Sequence, residues 1–189
     1  ANRFNIIYGG NLGVVQGLDT VIEAAKTLGD IEDLQFVFIG DGNDQQRLKS
    51  LVAQQDVDNV RFIPRQPMSE IRNFFALGDV LLVHLKALPI FELQMPSKVL
   101  SYLACGRPIL CGFEGVAAQT ILDANAGVSC PAESPDFLAQ RVRELYALPR
   151  SEREQLGANG RRAYLQNFTL ETSVEKIEGV LANVVATQI

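Results

Sequence analysis

Pro96-Ser97-Lys98-Val99-Leu100-Ser101-Tyr102-Leu103-Ala104-Cys105-Gly106-Arg107-Pro108-Ile109-Leu110 reads as one helix, a short turn and the start of a buried strand. Proline suits the first turn of a helix, where a missing N–H costs nothing. Val99, Leu100 and Leu103 form an apolar stripe, and Gly106 with Pro108 behind it stops the helix. Ser97, Lys98 and Ser101 group on the other side at helical spacing. A first-turn lysine opposes the helix dipole, at a cost of about 0.3–1 kcal/mol. A bound anion reverses that sign, because free N–H groups, a serine hydroxyl and an ammonium then converge on it. A solvated lysine on an ordinary surface helix is the alternative.

The same alternation of apolar runs and helical stripes extends in both directions. Strands are expected over 4–8, 34–39, 60–63, 79–85, 108–112 and 127–131. Helices are expected over 18–28, 44–54, 70–77, 96–105, 116–125, 134–148, 151–167 and 170–186, with a long loop over 86–95. Strands separated by helices build βαβ units and a parallel sheet covered on both faces. Right-handed crossovers then make an α/β fold with a doubly wound, six-stranded parallel Rossmann-like sheet and extra C-terminal helices. No internal repeat or linker interrupts it, so 1–189 is expected to be a single domain.

Composition narrows the function. A chain of 189 residues with 47% hydrophobic residues can bury one sizeable core. Its net charge of −5 argues against a general nucleic-acid surface, so no nucleic-acid partner is expected. Cys105, Cys111 and Cys130 have no metal-type spacing and read as small buried hydrophobes in a reducing compartment. A single histidine, His84, rules out a zinc site built on several histidines. No apolar run approaches membrane-spanning length, and a cytoplasmic location is expected. The chain opens Ala1-Asn2-Arg3, without methionine, and enters an apolar strand at once, as an excised part of a longer protein would.

In a doubly wound sheet, ligands bind beyond the C-terminal strand ends. The loops there carry the candidates: Gly9, Gly10, Asn11 and Gly13 after the first strand, and Gly40 after the second. Pro64 and Arg65 follow the third, His84 ends the fourth facing the cleft, and Ser97, Lys98 and Ser101 open the helix beyond it. The first loop is not G-x-G-x-x-G, and no P-loop is present. Glycines still permit close backbone approach to a ligand. One histidine supports neither a Ser–His–Asp nor a Cys–His constellation, and no acidic metal-binding pair for phosphoryl transfer stands out.

Taken together, these loops resemble the C-terminal, donor-binding domain of GT-B-fold glycosyltransferases of the large retaining family 4. Tyr8-Gly9-Gly10-Asn11-Leu12-Gly13 with Gln16-Gly17-Leu18-Asp19 resembles its opening glycine loop and helix. Phe36-Val37-Phe38-Ile39-Gly40-Asp41-Gly42 and Val60-Arg61-Phe62-Ile63-Pro64 are similar to its second and third strands. Pro96-Ser97-Lys98 through Arg107-Pro108 resembles the most specific segment, and Phe168-Thr169-Leu170 the start of the terminal helices.

The resemblance implies a UDP- or GDP-linked sugar donor as substrate, no other cofactor and no metal. It implies a diphosphate between the first glycine loop and the Ser97-Lys98 helix, with Lys98 stabilising the leaving group. It further implies an N-terminal GT-B domain of the same polypeptide, an acceptor glycan or lipid-linked sugar, and a role in polysaccharide or cell-envelope glycan synthesis. By the same resemblance, hexosyl or N-acetylhexosaminyl transfer is expected, with the fragment inactive alone and any membrane association made through the absent half.

The chain also departs from the family pattern. Gln16 stands where the family commonly has a basic residue, and the arginine the family commonly has near Asn11 is absent, which leaves more of the diphosphate charge to Lys98. The family's paired glutamates fall at Leu93 and Ser101, neither of them acidic. A UDP-sugar epimerase of the same architecture and a non-catalytic α/β nucleotide-binding module are the alternative functions. The first needs acid/base residues that these loops do not display.

Overall fold

In the computed structural model, which describes residues 3–187, six strands form one all-parallel sheet. Ala1, Asn2, Gln188 and Ile189 lie outside the described residues. The strands are β1 (Phe4–Gly9), β2 (Leu34–Ile39), β3 (Val60–Ile63), β4 (Val80–His84), β5 (Ile109–Gly112) and β6 (Gly127–Ser129). Their order is β3-β2-β1-β4-β5-β6. The chain therefore winds outward from β1 to β3, returns to the centre at β4, and winds outward again. The α/β, doubly wound expectation holds, and the reversal falls between β1 and β4.

Alternate side chains of each strand enter opposite cores. Ile6, Tyr8, Phe36, Phe38, Leu82 and Leu110 face α1 (Leu18–Thr27), α2 (Gln45–Gln54) and α7 (Pro135–Ala147). Ile7, Val37, Ile39, Leu81, Val83 and Cys111 face α3 (Met68–Ala76), α5 (Ser97–Cys105) and α6 (Val116–Asp123). A strand covered on both faces is apolar throughout, and β4 is buried along its whole length.

Helix starts differ from expectation for one recurring reason. Pro67, Pro96 and Pro149 each sit in extended backbone just outside a helix and accept its first bonds. Thus α3 begins at Met68, α5 at Ser97 and α8 (Arg150–Asn167) at Arg150. Pro96 is a cap residue and not part of the first turn. Short helices also fold inside two stretches expected to be loops: a 3-10 turn at Val14–Gln16 and α4 at Pro89–Glu92. α9 (Leu170–Thr187) leaves Leu170, Val174, Ile177, Leu181 and Val184 exposed along one stripe. Among the described residues no helix is long and apolar enough to cross a membrane.

Candidate functional site

At the C-terminal ends of β1 and β4, the Gly10–Gln16 loop, His84 and the start of α5 come together around Lys98. Its Nζ stands 3.7 Å from the centre of the Tyr8 ring and 3.4 Å from Gln16 Oε1. A Cβ on Gly10 would lie 3.3 Å from it. None of the ion pairs among the described residues includes Lys98. Desolvation of this half-buried side chain, with no carboxylate neighbour, pushes its ammonium down to about 7. α5 has no acidic residue in its first turn and no side-chain cap, whereas α1 carries Asp19 and α3 Glu70. Positive helix end and half-buried ammonium therefore face the glycine loop with no carboxylate to balance them.

Two tyrosines build the frame. The Tyr8 hydroxyl lies 2.7 Å from the Asn11 carbonyl and 2.8 Å from Gln16 Oε1, and its single proton serves one of them. Burial, reinforced by the neighbouring Tyr102, raises its pKa and keeps it a neutral phenol. The wholly buried Tyr102 hydroxyl accepts the Gly9 N–H at 2.9 Å, tying α5 to the end of β1. Tyr102→Phe is expected to cost about 1–3 kcal/mol by stranding that amide. Urea unfolding checks it: the midpoint should fall with the slope unchanged.

The glycine loop is braced from below. The Gly10 N–H donates to the Ile39 carbonyl at 2.9 Å, and Leu12 N–H to that of Asp41 at 2.7 Å. Gly40, at φ +150°, is buried, and a Cβ there would stand 1.9 Å from the Gly10 carbonyl oxygen. Gly40 thus backs the loop, with Gly9 and Gly13 also buried, while Gly10 and Asn11 are exposed.

His84 departs from its expected orientation. The ring is fully buried beneath the Gln16–Gly17 turn and does not face the cleft. Its Nδ1 lies 2.8 Å from the Gln16 carbonyl oxygen, and a carbonyl only accepts, so Nδ1 carries the hydrogen. Nε2 is buried without a partner. Burial lowers the imidazole pKa, although the Gln16 carbonyl, Asp19 and Glu133 pull the other way. The turn reaches over β4 because the Lys86 N–H donates to the Val15 carbonyl at 3.0 Å.

The remaining candidates are exposed. Ser97 and Ser101 lie on the open side of α5, and the Ser101 hydroxyl donates to the Ser97 carbonyl at 3.2 Å. Pro64 and Arg65 follow β3, and Arg65 stands 4.0 Å from Asp41, both side chains mostly in solvent. Beside the site, Lys86, Leu88, Phe91, Glu92, Phe113 and Glu114 line a pocket of about 130 Å³. Tyr8 and Tyr102 escape sequence reasoning because both look like ordinary core aromatics; a hydroxyl's partner is decided across the sheet. The Cys111 and Cys130 thiols are pushed up by burial to about 12 and about 11, which fits packing and not nucleophilic chemistry.

Residues 1–163 match the family described as glycosyl transferases group 1. WbjE of Pseudomonas aeruginosa, a probable glycosyltransferase, is 32% identical over 169 residues, which are 88% of this chain and 41% of that protein. WcaI of Escherichia coli K12, a putative colanic acid biosynthesis glycosyl transferase, is 32% identical over 154 residues, 79% of this chain and 37% of that one. The chain thus spans about two fifths of the length of these curated relatives. Anabaena HepE, solved with UDP-glucose, shares the fold at a TM-score of 0.80 and 16% identity, across 97% of this chain and 50% of that one. The family match covers the whole sheet and the loops around Lys98, and the chain belongs to the group 1 glycosyl transferases.

Proposed function

We propose that this chain is the donor-binding half of a glycosyltransferase and that it holds a UDP- or GDP-linked sugar at the β1/β4 reversal. The observation that carries this reading is Lys98: a half-buried ammonium without a carboxylate partner, on a helix start with no side-chain cap, facing a glycine loop. A diphosphate placed there accepts from the loop and helix amides and returns Lys98 to its charged form. As the sugar leaves, negative charge grows on the diphosphate, and these groups stabilise it most when it is greatest. The pocket beside Lys86 supports a place for the sugar, with apolar walls and the carboxylates of Glu92 and Glu114 as hydroxyl acceptors. Pro64 and Arg65 flank the base, and Ser101 offers one hydroxyl to the ribose.

The acceptor, a glycan or lipid-linked sugar of the cell envelope, is held by an N-terminal half that closes over the same strand ends. Val14, Val15, Ile90, Leu93 and Val116 stand exposed around the site, and α9 carries a separate exposed apolar stripe. Both support a covering partner within the polypeptide. The chain alone therefore binds donor without transferring its sugar. In the enzyme the domain works on the cytoplasmic side, and any membrane contact is made by the N-terminal half.

Calorimetric titration with UDP, GDP and ADP, and with the matching nucleosides, tests this. One diphosphate should bind tighter than ~1 mM, about −4 kcal/mol, and its nucleoside far more weakly. No heat with any diphosphate overturns the reading.

A further inference from the structure

We propose that His84 is a positioning residue for the diphosphate site, acting through Gln16. This rests on the donor-binding reading above. Gln16 ends a three-residue 3-10 turn that has no buried residue of its own to anchor it. Internally the turn has the Gln16 N–H on the Gly13 carbonyl at 3.0 Å and the Gly17 N–H on that of Val14 at 3.3 Å. One such turn is weak alone. The 2.8 Å bond from His84 Nδ1 ties the Gln16 peptide to β4, which is buried throughout. With that peptide held, Gln16 Oε1 lies 2.8 Å from the Tyr8 hydroxyl and 3.4 Å from Lys98 Nζ. Order passes from the central strand through imidazole, peptide and amide side chain to the ammonium.

The unpartnered Nε2 sharpens the assignment. Filling the space between Gly17 and Gly112 needs only an apolar group. The imidazole adds one hydrogen bond and leaves one buried nitrogen unpaired. The bond it adds ends on the residue beside Lys98. The charged groups around the ring are Asp19 on α1, Glu133 before α7, Lys98 on α5 and Lys86 just beyond β4. A second ring proton would sit on Nε2 with no acceptor, so the ring works in its neutral, Nδ1–H form.

His84 is the only histidine of the chain, so nitrogen-15 NMR on tag-free protein reads it directly. The expected spectrum shows the Nδ1–H tautomer, unchanged from about pH 8 to about pH 5.5, through the ordinary histidine value of about 6.5. An Nε2–H tautomer, or titration near 6.5, overturns the proposal. Calorimetry adds a functional readout with UDP and GDP as probes. His84→Leu should weaken the tighter of the two about tenfold and leave its nucleoside unchanged. His84→Asn, whose amide N–H takes the place of Nδ1–H, should stay within about threefold of the parent. Equal loss for nucleoside and diphosphate, or no difference between Asn and Leu, overturns it. If the Leu variant does not fold, His84→Gln, whose amide reaches instead to the Nε2 position, replaces it with the same expectation. A parent chain that binds neither probe sinks the donor-binding reading as well, whereas tight binding unimpaired by the Leu variant sinks this proposal alone.

Discussion

Lys98→Ala is expected to weaken nucleoside diphosphate binding about 100-fold, ~3 kcal/mol, and to leave the nucleoside within about twofold. The loss lies at the upper end for a charged hydrogen bond because Gln16 and Asn11 bring no second cation to the glycine loop. Calorimetry on both ligands decides it. Equal loss for nucleoside and diphosphate would remove the phosphate role.

The same residue sets a pH dependence. In the free chain the Lys98 ammonium loses its proton at about 7, and a bound diphosphate raises that value by opposing charge. Binding therefore takes up a proton above pH 7. A nucleotide sugar, whose two phosphates keep their charge across this range, should bind most tightly below pH 7. Above it, affinity should fall by up to about tenfold per pH unit. Lys98→Met should bind weakly at every pH. For the unliganded fold the sign is opposite. The unfolded lysine holds its proton up to 10.5 and the folded one only to about 7, so stability rises with pH between those values. Thermal melts of parent and Lys98→Met should differ most in the variant's favour at and below about pH 7, the gap closing as pH rises across that window.

Gly40→Ala is expected to be the most damaging single methyl at the site. Its φ of +150° is open to glycine and strained for alanine, and the new Cβ would stand 1.9 Å from the Gly10 carbonyl oxygen. Backbone cannot rotate away as a side chain can, so the Gly10–Leu12 loop must lift from β2. The bonds to Ile39 and Asp41 go with it. Strain and displacement together should cost about 3 kcal/mol of stability. Diphosphate binding should fall at least tenfold, because the lifted loop no longer faces Lys98. Denaturant unfolding and calorimetry measure the two separately. A variant as stable as the parent that still binds would show that the loop is not braced by Gly40.

Fold class was legible because it rests on local periodicity. Short apolar runs such as 34–39 and 80–84, bounded by turn residues, read as strands covered on both faces, and the longer stripes between them as helices packed on those strands. Chain order then implied parallel pairing, as observed. Lys98 was legible for a similarly local reason: a cation in a first turn without an acid is an electrostatic anomaly wherever the helix lies.

The tertiary structure decided the rest. His84 ends its strand as a cleft residue should, yet a turn from distant sequence covers it, 68 positions away along the chain. Tyr102 differs from any core aromatic only because Gly9, 93 positions earlier, lies under its hydroxyl. Gly40, which reads as one more ligand-loop glycine, proves to be the floor beneath Gly10. Periodicity and charge placement are properties of neighbours along the chain, so the sequence alone determined the sheet, the helices and the first-turn lysine without an acidic partner. Which polar atom meets which partner depends on how loops from separate strands stack, and only the folded sheet brings them within a hydrogen bond of one another.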